Sequence, residues 1–199
     1  MNNISYLFGD NIYLNITNRC TMSCPYCIKY KWENDFNGND LKLDREPSVD
    51  EVIKSIGNPK EYKEVIFCGY GDALIRIEEV KEIAGWIKKH GGKVRINTAG
   101  LANAYHGRNI LPGLKGLIDV ISVSLNGSNP DEHNKINKPM FKEKSFNKII
   151  EFVEEAKKYI PEVVITAVEF PNFDTSKVKQ IAERLGVNFR ARPYLDDKK

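Results

Sequence analysis

Three of the chain's four cysteines stand within eight residues, in the run Cys20-Thr21-Met22-Ser23-Cys24-Pro25-Tyr26-Cys27, and the fourth, Cys68, lies far downstream. Spacing of i, i+4 and i+7 would line one face of a helix, and three buried thiols in a core helix is the plainest reading. Pro25 opposes it, because proline inside a helix removes a hydrogen bond and clashes with the preceding turn, at a cost of about 3 kcal/mol. A loop is expected instead. Thiolates at this density select zinc or iron–sulfur clusters. A closed zinc site wants four ligands, and Cys68 is the available fourth. A cubane cluster held by three cysteines leaves one iron open to a small molecule, as catalytic metal sites keep an open position, and is the better reading. Taken alone, Cys68 reads as a small buried apolar residue.

Something must present this loop. Short strand-like segments occur at 12–17, 64–69, 93–98, 119–126, 163–169 and 187–192, separated by helical patterns. Ser48 and Glu51 form a capping box for a helix that Gly57 closes, and Ile77 to Lys89 carries apolar residues at helical spacing. A further helix runs from Phe146 to Tyr159, and Asp174 caps a last one with Val178, Ile181, Ala182 and Leu185 inward and Gly186 at its end. This alternation predicts an α/β fold with a parallel sheet, as one domain over residues 1–199. Ser5 to Phe8, with a turn at Gly9-Asp10-Asn11, is expected to pair with the first strand as an N-terminal β-hairpin. Lys29 to Pro47 is long for a connection and is read as part of a lid, or as a short helix docked by Trp32 and Phe36.

The strand faces are split. Asn15 and Thr17 share a face by the period of two, as do Arg95 and Asn97, then Ser122, Ser124 and Asn126, then Arg190 and Arg192. An open sheet covered on both sides would favour apolar residues on both faces. A polar face that lines a cavity predicts a curled, partial (β/α)6 barrel of parallel strands, with function at the C-terminal ends of the strands. Arg190 and Arg192 are candidates for binding an anion, since a guanidinium fork matches carboxylate or phosphate; pairing with Glu169 or a terminal aspartate is the competing reading. His106 and Arg108 fall in a long loop after the third strand.

Composition narrows the classes. With 41% hydrophobic and 29% charged residues, the chain is an ordinary globular one, not a disordered one. The 30 Lys+Arg and 27 Asp+Glu are intermingled and the chain ends on Lys198 and Lys199, so charge gives no argument for nucleic acid. The longest uncharged apolar runs, such as Val120 to Leu125, are too short for a membrane span. Met1 is followed by Asn2 and Asn3 rather than a leader, so a cytoplasmic location is expected, where crowded cysteines read as metal ligands rather than disulfides.

The run Cys-Thr-Met-Ser-Cys-Pro-Tyr-Cys resembles the CxxxCxxC signature of radical SAM enzymes, in which an aromatic residue commonly precedes the last cysteine, as Tyr26 does. Phe67-Cys68-Gly69-Tyr70-Gly71-Asp72 stands where that family carries its glycine-rich motif. With the Val94 to Gly100 and Ser122 to Asn126 stretches, the resemblance covers nearly the whole chain and is greatest to the short TatD-associated radical SAM proteins.

The resemblance implies a 4Fe–4S cluster on Cys20, Cys24 and Cys27, with S-adenosylmethionine chelating the fourth iron and yielding a 5'-deoxyadenosyl radical. It implies cofactor contacts from Tyr26 against the adenine, from Gly69, Tyr70, Gly71 and Asp72 in the glycine motif, and from Asn97, Ser124 and Asn126 near the ribose or carboxylate; Arg190 is added as the candidate for the carboxylate. The glycines would let backbone carbonyls approach the ligand amine. Asp72-Ala73 departs from the usual Glu-Pro. An electron donor of flavodoxin or ferredoxin type is implied. The expected function is hydrogen abstraction from a small-molecule or nucleobase-like substrate; the alternatives are an activase that makes a glycyl radical on a partner protein, and a zinc module using all four cysteines.

Overall fold

In the computed structural model, which describes residues 3–31 and 33–194, six parallel strands appear where the period-two segments stand. In chain order the elements are β1 (Ser5–Phe8), β2 (Asn11–Leu14), α1 (Ile28–Lys31), β3 (Asp35–Phe36), β4 (Asn39–Asp40), α2 (Val49–Ile56), β5 (Val65–Phe67), α3 (Ile77–Lys89), β6 (Val94–Thr98), α4 (Ala102–His106), β7 (Val120–Ser124), α5 (Pro130–Asn137), α6 (Ser145–Ala156), β8 (Glu162–Glu169), α7 (Thr175–Leu185) and β9 (Asn188–Pro193). One sheet has the order β1-β2-β5-β6-β7-β8-β9, with β1 antiparallel to β2 and every later pair parallel; β3 and β4 form a separate ribbon. The N-terminal hairpin is therefore present, turned at Gly9 with φ 58°.

Register sorts the two faces. Leu14, Phe67, Ile96, Ile121 and Val163 lie side by side across five strands and are at most 7% exposed, packed under the helices. At about 1.5–3 kcal/mol for each fully buried large apolar side chain, rows of this kind carry the fold. The alternate rows hold Arg95 beside Val120, Asn97 beside Ser122, and Ser124 beside Thr166 and Arg190. The sheet curls so that this polar face closes on itself: Arg190 on β9 stands within electrostatic reach of Tyr13 on β2, although four strands separate them in the sheet order. The result is a partial barrel with a polar lumen and the helices outside.

Local chemistry explains the helices. Ser48 Oγ accepts from Glu51 N while the Glu51 carboxylate accepts from Ser48 N, the capping box that opens α2. On α3, Ile77, Val80, Ile83, Ala84 and Ile87 are buried on one face, and α7 ends on Gly186 with φ 66°. Elsewhere the structure departs from expectation. His106 lies on the helix α4 rather than in a loop, its Nε2 2.8 Å from the Leu74 carbonyl, and Arg108 pairs with the exposed Glu78. Residues 29–47 contain α1 and the β3–β4 ribbon, docked by Phe36 edge-on to Tyr6 and Phe8 at 5.9 and 5.4 Å. Trp32, Lys198, Lys199 and the terminal aspartates lie outside the described residues. Helix α5 was not expected from periodicity. Among the described residues, no helix is long and apolar enough to cross a membrane.

Candidate active site

Beyond β2 the chain enters the cysteine loop, which is not helical over residues 20–27, as Pro25 requires. Both sides of the loop are tied down. On one, Thr17 Oγ1 donates to Glu46 Oε1 at 2.5 Å, and Arg19 grips both oxygens of the same carboxylate at 2.7 and 3.0 Å. On the other, Met22 bridges Pro139, Met140 N donates to Thr21 O at 2.9 Å, and Ser23 N donates to Asn137 O at 3.2 Å. Cys27 then heads α1, its carbonyl accepting from Lys31 N at 3.0 Å. All four cysteines are free thiols and half-buried. Burial pushes the Cys20 thiol up to about 12 and the Cys24 thiol to about 11, so both are protonated at neutral pH and metal binding must expel those protons.

The glycine motif at the end of β5 clamps this loop from below. A Cβ on Gly69 would meet Asn15 Oδ1 at 2.4 Å, and one on Gly71 would meet the Arg19 and Thr17 carbonyl oxygens at 2.3 and 2.5 Å. Tyr70 N donates to Asn15 Oδ1 and Asp72 N to Arg19 O, each at 2.9 Å. The glycines are thus demanded by the chain's own backbone and side chains, a cause different from the expected clearance for a ligand amine. Tyr70 turns outward, its hydroxyl on Asn34 Oδ1 at 2.5 Å and its ring under Lys29. Asp72 is buried and spent internally: Oδ1 accepts from Leu74 N at 3.1 Å, and Oδ2 from Thr98 Oγ1 and Ala99 N at 2.8 Å. Its carboxylate joins the β5 and β6 ends, and burial raises its pKa.

The lumen residues divide into satisfied and unsatisfied groups. Asn126 is fully engaged, accepting from Val168 N at 2.8 Å and donating to the Tyr26 hydroxyl at 2.7 Å. Ser124 accepts from Arg192 Nη2 at 3.3 Å. Asn97 lies against Cys68, but its Oδ1 is buried without a partner, and so are Arg192 Nε and Thr21 Oγ1. Arg190, proposed from sequence for a buried anion, is exposed, whereas Arg192 is half-buried and within electrostatic reach of Cys24 and Cys68. Two residues escaped the sequence reading. Asn137, buried at the end of α5, sits 3.7 Å from Cys24 Sγ and 2.6 Å from the Tyr26 hydroxyl, and His133, one turn earlier, is wholly buried with Nε2 unpartnered. The signal available was the start of α5, where Asn129 caps and Pro130 occupies the first turn.

Beside Tyr26 opens a cleft of about 640 Å³ walled by Tyr26, Tyr30, Phe170, Phe173 and Tyr194, with Lys135 at its side. Of the cysteine loop, Pro25 and Tyr26 line it.

With this arrangement in view, the comparisons are decisive at the level of family. The model of the radical SAM superfamily matches residues 14–185. The chain belongs to the radical SAM superfamily. A sequence search among curated proteins gave no match. Similar solved structures share the fold at low identity. TYW1 with a lysine-pyruvate adduct bound has TM-score 0.67 and 14% identity, over 96% of this chain and 66% of that one. Streptococcus suis SuiB bound to the precursor peptide SuiA has TM-score 0.70 and 13% identity, over 96% and 42%. Methylornithine synthase PylB has TM-score 0.62 and 14% identity, over 93% and 53%. The chain therefore spans less than two thirds of each of these neighbours.

Membership in the radical SAM superfamily makes this chain an enzyme and implies a 4Fe–4S cluster and S-adenosylmethionine. The residues present fit that pair: three free, half-buried thiols on a non-helical loop adjoin a lumen in which Asn97 Oδ1 and Arg192 Nε are buried and unpaired. Buried polar atoms without partners are costly, and ligand groups can satisfy them.

Proposed function

We propose that Cys20, Cys24 and Cys27 hold the cluster, that the lumen side of Asn97 and Arg192 receives S-adenosylmethionine, and that the enzyme abstracts hydrogen from a substrate admitted past Tyr26. The observation that supports this reading best is Arg192, whose Nε is buried and unpaired, within electrostatic reach of Cys24 and, together with the unpaired Asn97, of Cys68. When bound, the pair supplies one-electron cleavage of the sulfonium to a 5'-deoxyadenosyl radical. The rest falls to the chain. Glu46, through Thr17 and Arg19, and the strand-like pairing at Met22 fix the loop that carries the thiols. Asn97 can orient an amine or hydroxyl through Oδ1, and Arg192 can meet a carboxylate through its free Nε. Gly69, Gly71 and Asp72 set the loop's height above β5, and Ser124, Asn126 and Tyr26 shape the opposite wall.

A zinc module is less well supported. Among the described residues, no three cysteine, histidine or acidic side chains converge closely enough for one metal ion, whereas cluster irons accept more widely spaced sulfurs. An electron donor of flavodoxin or ferredoxin type completes the proposal, and the likeness of the glycine motif and the fourth predicted strand to TatD-associated proteins is the present guide to subfamily.

The test is anaerobic reconstitution of the full chain. About four irons per chain, as a cubane requires, an EPR spectrum of the reduced protein that changes on adding S-adenosylmethionine, and slow release of 5'-deoxyadenosine are expected. Zinc uptake without iron would overturn the reading.

A further inference from the structure

The lumen face of β9 carries two arginines that the fold does not neutralise. Arg190 is the register partner of Thr166 and Arg192 that of Val168, so both spring from the polar face, whereas Phe189 packs on the core. Arg192 Nη2 donates to Ser124 Oγ at 3.3 Å, and its Nε is buried without a partner. Arg95 reaches the same strand from the other side, its Nη1 donating to Ser122 Oγ at 3.0 Å. Ser122 and Ser124 are one pleat repeat apart, about 7 Å. Arg190 joins the group through Thr166, which lies beside Ser124.

Carboxylates do not match these cations. Glu64 is taken by Arg95 at 2.8 and 3.0 Å and by Lys93 at 3.1 Å. Glu162 has lumen parity but opens β8, two pleat repeats before Thr166 and about 13 Å along the strand. Glu169, the partner weighed from sequence, has the opposite parity. Among the described residues Arg190 forms no ion pair or hydrogen bond, and partial desolvation and the guanidiniums of Arg95 and Arg192 work against its charge.

The implied cofactors leave this charge in place. S-adenosylmethionine carries an ammonium and a sulfonium against one carboxylate, so it is a cation, and it meets the negative charge that thiolates give a cluster. Its carboxylate belongs with Arg192, which is nearer the C-terminal end of β9. Arg190 stands one repeat deeper, away from the strand ends where the cysteine loop and glycine motif lie.

We infer that the substrate is an anion, and that Arg190 receives its carboxylate or phosphate group in the lumen, below the place of the cofactor. The inference rests on the radical SAM reading and names the substrate class of that site. A guanidinium fork meets either group with two parallel N–H···O bonds, and the exposure of Arg190 leaves it reachable.

A reduced cluster is paramagnetic and speeds the nuclear relaxation of an anion held near it, but not that of one on a distant surface lysine. The experiment measures phosphorus relaxation of inorganic phosphate and carboxyl-carbon relaxation of labelled acetate on the reduced, anaerobically reconstituted full chain, loaded with S-adenosylhomocysteine to fill the place of the cofactor without cleavage. Faster relaxation of one probe is expected and names the group. Arg190→Gln should weaken that binding by about tenfold or more, without lowering the melting temperature of the unloaded chain, as loss of a structural residue would. Arg190→Lys, which keeps the charge without the fork, should weaken it less, and decides alone if Arg190→Gln retains no iron. Lys179→Gln, on the exposed face of α7 beside Glu183, should change nothing. No enhancement for either probe, enhancement that survives in the Arg190 variants, or enhancement seen only without S-adenosylhomocysteine overturns the inference. The radical SAM reading survives those results if the wild type holds its irons and S-adenosylmethionine alters its EPR spectrum. A wild-type chain that takes up no iron overturns both.

Discussion

A Cβ placed on Gly71 would stand 2.3 Å from the carbonyl oxygen of Arg19. The added Cβ would meet backbone, so no rotamer change relieves the contact, and the residue at 71 sets where the cysteine loop begins.

Gly71→Ala should therefore shift the Thr17–Arg19 segment, lower stability by about 1–3 kcal/mol as overpacking does, and reduce the iron retained after reconstitution. Gly85→Ala is the control. It lies within α3 with nothing nearer than 3.9 Å to its added Cβ, so it should be neutral or stabilising by up to about 1 kcal/mol. Melting temperature and iron content of the two variants check this.

Alanine at Cys20, Cys24 or Cys27 should each abolish stable cluster binding, while Cys68→Ala should keep about four irons per chain. Because burial holds the Cys20 and Cys24 thiols near 12 and 11, reconstitution should proceed faster at pH 8.5 than at pH 7. Iron analysis and the absorbance time course read both effects. Loss of iron in Cys68→Ala would return the four-cysteine site to consideration.

Asn97→Ala removes a buried oxygen that has no partner, so the unloaded protein should change in stability by less than about 1 kcal/mol. If that oxygen serves the cofactor, affinity of the cluster-loaded enzyme for S-adenosylmethionine should fall about tenfold, equivalent to about 1.4 kcal/mol. Anaerobic calorimetry measures it, and an unchanged affinity would remove Asn97 from the site.

His133 gives the fold an acid-sensitive component. Burial lowers its pKa from 6.5 to about 4, so as pH falls the unfolded chain takes up the proton first. The associated stability is present in full above about pH 6.5, declines as pH drops, and is exhausted near pH 4; it amounts to on the order of 3 kcal/mol. Urea unfolding at pH 7, 5.5 and 4.5 should show a shallower decline in His133→Gln than in wild type.

Much of this fold was legible because its signals are local. The Ser48–Glu51 box, the glycine after α7 and the alternation in the six barrel strands each involve neighbours in sequence, and each appears in place. Helix α5 was hidden because the face it buries is polar: His133 and Asn137 take the positions where apolar residues would have shown the period. The cysteine spacing was readable as a metal-binding pattern. That Asp72 spends one oxygen on the following turn at Leu74 and the other on the end of β6 was not, and neither was the greater burial of Arg192 relative to Arg190, since both arginines have the same strand parity and only the curl of the sheet distinguishes them. The contact of Asn137 with Cys24 is a purely tertiary fact, linking positions 113 residues apart.

That separation also imposes an order of assembly. The three thiols leave the ribosome well before the 137–140 segment that pins their loop, and at about 5–20 residues per second the interval is on the order of ten seconds. During that time the segment that bridges Met22 has not been synthesised, and the lumen strands that follow β5 are incomplete. The cysteine loop therefore takes its final shape only after the crossover that follows β7 has folded back onto it.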